Sequence, residues 1–197
     1  MGPVLEALKE EITRRRALLI TPFAFAGLVA ISSRRHAEDS VSADGVPSEV
    51  VIVPFRNTGE RLAPVTVQKL IRADAQWRKL LTAEQYYVTR RQGTDTAFTG
   101  TYYQLHERGL YRCLCCANAL FGSDSKFDSG TGWPSFSAAV AEENIQTTRD
   151  VSMFIERVEA ACKQCDAHLG HVFNDGPEPT GLRYCINESS LTFIRYS

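Results

Sequence analysis

The chain has 197 residues, 44% of them hydrophobic, a formal net charge of −1 and a pI near 6.4. That length fits one domain plus an appendage, and the apolar share is enough for a core. The near-neutral charge excludes an electrostatic reader of nucleic acid, and 13 Gly with 10% aromatics point to strands and turns over a helical bundle.

Residues 13–35, "TRRRALLITPFAFAGLVAISSRR", place three Arg before an apolar run over 17–31 and two Arg after it. The run is short for a bilayer, which needs about 20 residues. It reads as a secretory signal with "AFA" at 24–26 as a cleavage site, as a twin-Arg export signal, or as an uncleaved membrane tether. The bland alternative is a buried helix of a cytoplasmic protein. Arg clusters at both ends are awkward to bury, so periplasmic export or anchoring is the expectation, and the second cluster argues against cleavage. The expected organisation is a signal or anchor over 1–35, a polar, turn-rich linker over 36–48, a strand extension over 49–72 and the main domain over 73–197.

In the extension, "EVVIVPF" and "PVTVQKL" flank the turn residues "RNTGE" and predict a hairpin. Pro54 marks the first strand as an edge. "ADAQWRKLLTAEQYYVTRRQG" (73–93) is helical, with Asp74 as an N-cap. Thr82 and Gln85 form a capping box that starts a second helix. Trp77, Leu80 and Leu81 share a core-facing side. From residue 94 the pattern is short β runs: "GTYYQL", "GLYRCL", "DVSMFIERVEAACK", "LRYCIN" and "LTFIRY". The fold class is mainly β, antiparallel, with a few short N-terminal helices.

All six Cys lie in the C-terminal half. Cys113-x-x-Cys116 and Cys162-x-x-Cys165 are two knuckles of equal spacing. Such a turn sets two thiolates about 3.5–4 Å apart, one edge of a tetrahedron around an ion with bonds near 2.3 Å. Two knuckles close a four-thiolate site suited to one structural Zn²⁺. The bland alternative is two local disulfides or free core thiols. Cys115 is a bystander inside the first knuckle, or exchanges with Cys116 as a ligand.

Cys185 stands apart. A lone Cys in a strand is often a small core residue. Here His168 and His171 precede it across the "NDGPEPTG" turn, so a hairpin can bring them beside it. Asn187, two residues on, projects from the same strand face. "GTGWPSF" (130–136) is a Gly- and Pro-framed loop that displays Trp133. Imidazole and amide donors can lower a thiol's pKa or bind a polar oxygen, and an indole can line an apolar group. A sulfoxide has both features.

"C-x-x-C-x-x-A-L-F", "SGTGWPSF", "C-x-x-C-D-x-H-L-G-H-V-F-N-D-G-P-x-P-T-G-L-R-Y-C-I-N" and "SLTFI" together resemble the B-type methionine sulfoxide reductases, over residues 73–195. The resemblance implies a β-tent-like fold of two antiparallel sheets with structural zinc on the four knuckle Cys, away from the active site. It implies Cys185 as the nucleophile that takes the oxygen as a sulfenic acid, His171 and His168 in substrate binding and proton delivery, and Asn187 in support. Trp133 and Phe173 would contact the substrate, an oxidised methionine of the R configuration in a protein. Many members carry a resolving Cys where this chain has Thr131. The reductant is then an external thioredoxin-like or small thiol, or Cys115 resolves. Two rivals remain: a zinc-ribbon-like module that binds a protein through the "GWPSF" loop, and a thiol–disulfide oxidoreductase working through a CxxC pair.

Overall fold

The structure is a computed structural model and describes residues 49–150 and 157–197. The apolar run over 17–31 and the linker lie outside the described residues. Among the described residues, no helix is long and apolar enough to cross a membrane.

The extension forms the expected hairpin. Strand β1 (Glu49–Ile52) pairs antiparallel with β2 (Val65–Gln68) as a sheet of its own. Pro54 lies just past β1, where its missing N–H breaks no ladder bond. The hairpin is docked by its loop. Val53 is fully buried, its N–H donates to Asn144 Oδ1 (2.7 Å), and its carbonyl accepts from Asn144 Nδ2 (2.8 Å). Asn144 Nδ2 also donates to the Ala119 carbonyl (2.8 Å). One buried amide thus ties the extension to the main domain. Asn144→Ala strands three buried backbone groups at about 1 kcal/mol or more each. The expected result is a thermal midpoint lowered by roughly 10 °C, read by calorimetry.

Helices α1 (Asp74–Leu80) and α2 (Ala83–Arg91) follow. The capping box of α2 is formed: Gln85 N–H donates to the Thr82 hydroxyl (3.2 Å), and Thr82 N–H donates to the Gln85 side chain (3.1 Å). The cap of α1 differs from expectation. Ala73 holds the cap position, its N–H taken by the Gln76 side chain (2.9 Å), and Asp74 is the first helical residue. The Asp74 carboxylate is engaged by Arg78, Arg91 and the Tyr86 hydroxyl, so it joins the two helices instead of capping one. Trp77 and Leu81 are buried and Leu80 packs beside them.

Two antiparallel sheets make the body, as expected. Three strands are ordered β11-β3-β4, from Leu191–Arg195, Gly109–Cys113 and Ala119–Gly122. Six are ordered β5-β6-β10-β9-β8-β7, from Lys126–Phe127, Ser135–Phe136, Arg183–Ile186, His168–Phe173, Arg157–Cys162 and Ile145–Asp150. Between them Phe121 stacks on Phe136 (centroids 4.4 Å) and Tyr111 meets Phe136 edge-on (4.9 Å), with Leu169 and Ile186 fully buried. Two expected β runs are corrected. "GTYYQL" is a 3₁₀ turn (Tyr102–Gln104), because the Glu188 carboxylate accepts the N–H groups of Thr101 and Tyr102 (2.6 Å each) that a strand would offer a neighbour. "DVSMFIERVEAACK" supplies Asp150 to β7 and Arg157–Cys162 to β8, antiparallel partners with Asp150 opposite Arg157, and its residues 151–156 lie outside the described residues. The "GTGWPSF" stretch is only in part a loop, since its last two residues are β6 and Phe136 is core.

Candidate active site and metal cluster

The register of the large sheet lines up four side chains. Glu159 on β8 pairs with His171 on β9, His171 with Cys185 on β10, and Cys185 with Ser135 on β6. Directly opposed residues of an antiparallel pair share a face, with Cβ atoms about 4.5–5.5 Å apart. Glu159, His171, Cys185 and Ser135 therefore form one row on one face. Arg183 and Phe173 are paired two residues along and share that face.

His168 would miss this face in a regular strand, since it precedes His171 by three. A bulge corrects it. Ala160 pairs with Gly170 and Ala161 with His168, so Leu169 is the extra residue. Both imidazoles then lie on the face of Cys185, with ring centroids 5.4 Å apart. Gly170 permits the close approach: a Cβ there would sit 2.1 Å from the Cys185 carbonyl oxygen, at φ +152°. Leu169, displaced by the bulge, is in the core.

Each imidazole is held by a carboxylate. His168 Nδ1 lies 2.6 Å from Glu159 Oε1, and its buried Nε2 has no hydrogen-bond partner. His171 Nε2 lies 3.1 Å from Asp150 Oδ2, beside Arg157. Burial keeps His171 below the ordinary imidazole range, the Arg157 charge adds to this, and the Asp150 carboxylate only partly opposes it. Neutral imidazole is the resting form.

Cys185 is partly exposed, whereas the other five cysteines are buried. Burial still pushes its thiol above the ordinary value, against Arg183 and the Thr131 hydroxyl, which favour the thiolate. Arg183 is fixed on both sides. It makes two 2.8 Å bonds to the Asp175 carboxylate, and its guanidinium lies 4.4 Å from the centroid of Phe173. Phe173, expected at the substrate, is thus covered by a cation. The sequence reading overlooked Arg183, although the period-2 rule applied forward from Cys185 to residue 187 applies equally backward to 183.

That rule fails at residue 187. β10 ends at Ile186 and the chain turns into a 3₁₀ helix (Glu188–Ser190). Asn187 is buried, its Oδ1 accepting from Asp95 N–H (2.9 Å) and its Nδ2 donating to the Leu169 carbonyl (3.1 Å). Its amide is thus occupied by backbone, not by the Cys185 thiol. The effect reaches the indole one step on, because Trp133 Nε1–H donates to the Asp95 carbonyl (3.0 Å). The Asp95 carboxylate accepts from Ser189 N–H (2.9 Å), so the 95 loop is pinned on both sides. Trp133 is half-buried and held from its polar edge.

The two knuckles have the same local construction. Ala117 N–H donates to the Cys113 carbonyl (2.8 Å) and Asp166 N–H to the Cys162 carbonyl (2.9 Å). Ala117 and Asp166 both take positive φ, 61° and 54°. The β3 hairpin carries one knuckle and the β8–β9 connection the other. Together they bring the thiols of Cys113, Cys116, Cys162 and Cys165 within 4.8 Å of one another, all buried. Cys113 and Cys165 are 3.6 Å apart and Cys116 and Cys162 3.5 Å, unbonded. Those separations match tetrahedral edges around an ion with bonds near 2.3 Å. Donors surround the sulfurs: Arg90 Nη2 lies 3.6 Å from Cys165 Sγ and Asn118 Nδ2 3.8 Å from Cys162 Sγ. Arg90 also donates to the Cys165 carbonyl (2.7 Å) and stacks on Trp77 (3.8 Å). Four buried thiols with a cationic neighbour suit thiolate ligation of one metal ion. Cys115 is fully buried against this cluster, beside Cys113, Cys165 and Arg90.

The SelR domain family matches residues 81–195. The chain is 53% identical over 126 residues to the peptide methionine sulfoxide reductase MsrB of Herminiimonas arsenicoxydans, covering 64% of this chain and 92% of that one. It is 53% identical over 127 residues to the protein of that name from Hahella chejuensis, covering 64% and 91%. To the chloroplastic peptide methionine sulfoxide reductase B1 of Oryza sativa it is 55% identical over 119 residues, covering 60% and 55%. The match extends through both knuckles, the bulged histidine strand and β10, and the chain belongs to the SelR-domain family, that of the B-type methionine sulfoxide reductases.

Proposed function

We propose that Cys185 is the nucleophile of a peptide-methionine (R)-S-oxide reductase. Family membership makes the chain an oxidoreductase that reduces methionine sulfoxide. The observation that carries the assignment to Cys185 is the row itself: a partly exposed thiol with an imidazole directly across the strand pair and Arg183 two residues away.

A sulfoxide sulfur is a weak electrophile until its oxygen takes a proton or a hydrogen bond. The resting pair, neutral thiol and neutral imidazole, already holds the proton needed. His171 takes it from Cys185 as the thiolate attacks sulfur, then delivers it to the sulfoxide oxygen. The imidazolium formed is stabilised by Asp150, and the thiolate by Arg183. The oxygen leaves on Cys185 as a sulfenic acid, and methionine departs reduced. His168, buried and fixed through Nδ1 by Glu159, lies edge-on to His171 with ring centroids 5.4 Å apart and positions that ring. Trp133 walls the methyl side.

The sulfenic acid is then met by an external thiol, thioredoxin-like or small. One thiol forms a mixed disulfide with release of water, and a second frees Cys185. Two features support this: Thr131 has no sulfur, and Cys115 is fully buried beside the metal cluster, against Cys113, Cys165 and Arg90. The four knuckle Cys hold one structural Zn²⁺. Their burial also speaks against a CxxC redox pair, and a binding module without chemistry leaves the Glu159–His171–Cys185 row without purpose.

The test is turnover on separated R and S epimers of methionine sulfoxide in a peptide, with dithiothreitol as reductant. The R epimer is expected to be consumed and the S epimer left intact. Consumption of S, or of neither, overturns the assignment.

A further inference from the structure

Three hydroxyls form a chain that begins at Cys185 and has no part in the mechanism above. Thr131 Oγ1 lies 4.0 Å from Cys185 Sγ, within reach of an O–H···S hydrogen bond. Ser129 Oγ is 2.8 Å from Thr131 Oγ1 and 2.7 Å from Ser135 Oγ. Ser135 is fully buried, is the cross-strand partner of Cys185, and donates to the Trp133 carbonyl (3.2 Å). The chain therefore starts at the reactive sulfur and ends in the sheet, one strand over from where it began.

Its proton count allows two polarities, since each hydroxyl has one hydrogen and two acceptor sites. With Ser135 donating to the Trp133 carbonyl, Ser129 donates to Ser135 and Thr131 to Ser129. Thr131 then accepts from the Cys185 thiol. Rotation of the three hydroxyls reverses the chain. Ser135 donates to Ser129, Ser129 to Thr131, and Thr131 to a negatively charged sulfur. Neither arrangement leaves a hydroxyl hydrogen unused, and neither moves a heavy atom.

We propose that Thr131, Ser129 and Ser135 form a reversible hydrogen-bond relay that accepts from the Cys185 thiol and donates to its thiolate, with Thr131 a further catalytic residue and the two serines positioning it. This rests on Cys185 being the nucleophile. It gives Thr131 a function of its own at a position where it cannot form a disulfide. The thiol is pushed up by burial, and the Thr131 contact is one of the influences that hold it down. A donor to a charged sulfur is one of the stronger hydrogen bonds.

The test is the pH dependence of Cys185 alkylation by iodoacetamide, with the modified residue located by mass spectrometry. Thr131→Val keeps the shape and removes the hydroxyl, and is expected to move the midpoint up by about one pH unit. Thr131→Ser is expected to restore it to within a few tenths of a unit. Ser135→Ala is expected to move it the same way by less, since Ser129 loses its partner. An unmoved midpoint in Thr131→Val, an equal shift in Thr131→Ser, or no shift in Ser135→Ala overturns the relay. Alkylation requires no turnover, so a chain that labels at Cys185 yet reduces no sulfoxide would sink the reductase mechanism and leave the relay standing.

Discussion

Cys185→Ser is expected to bring reduction of the R sulfoxide to background, a loss of roughly 10³-fold or more, with metal content and thermal midpoint unchanged. Serine keeps the shape and the hydrogen bond to Thr131. Its hydroxyl cannot ionise beside His171 at neutral pH, and it cannot carry the oxygen away. The comparison with Arg183→Met makes the result specific. That variant keeps the sulfur but removes the cation and leaves the Asp175 carboxylate without its Arg183 partner, so Cys185 should ionise at still higher pH and turnover should need a more alkaline buffer. The direction is fixed by which form is charged: a thiol already raised by burial loses a group that favours its thiolate, so the active fraction falls at any given pH below the midpoint. Residual turnover in Cys185→Ser above a few per cent would move the chemistry to another group.

Removing the metal is expected to cost the fold itself. Structural Zn²⁺ contributes about 10–16 kcal/mol in small zinc peptides, comparable with the whole stability of a domain, about 5–15 kcal/mol. Here the four thiols are buried between the β3 hairpin and the β8–β9 connection, so the ion would join segments about 46–52 residues apart in sequence. The protein as isolated is expected to hold one zinc per chain by elemental analysis. Chelation, or Cys116→Ser, should lower the thermal midpoint by roughly 15 °C or more. Acid should release the ion, because protons compete for the thiolates as pH falls, and alkali should not. A stable, metal-free wild type would remove zinc from the account.

Much of this was legible in the residues, for reasons that can be named. Equal Cys-x-x-Cys spacing dictates equal local geometry, and the two knuckles do share one hydrogen-bond pattern. Thr82 with Gln85 is a short-range device whose outcome depends on four residues alone. What escaped depends on partners far along the chain. Spacing of three between His168 and His171 is wrong for one strand face, and only the bulge at Leu169, set by pairing with β8, reconciles it. Asn187 was placed by extending a strand that Glu188 ends, because its carboxylate takes the Thr101 and Tyr102 amides. Asp74 carries the signature of a cap, yet Arg78, Arg91 and Tyr86 claim its carboxylate once two helices pack. Arg183 needed no long-range knowledge, only the same periodicity read in the other direction.

The order of strands in the large sheet bears on how the chain is made. β10 lies between β6 and β9, so it alone joins the β5–β6 pair to the β7–β8–β9 block, and it carries Cys185. During synthesis both blocks emerge from the ribosome with open edges, which are prone to sticking to other chains. They stay open until β10, Arg183–Ile186, is added. Cys185 thus meets His171 and Ser135 only when the sheet is closed. A chain truncated before β10 would lack the nucleophile and also leave its two neighbours exposed to aggregation.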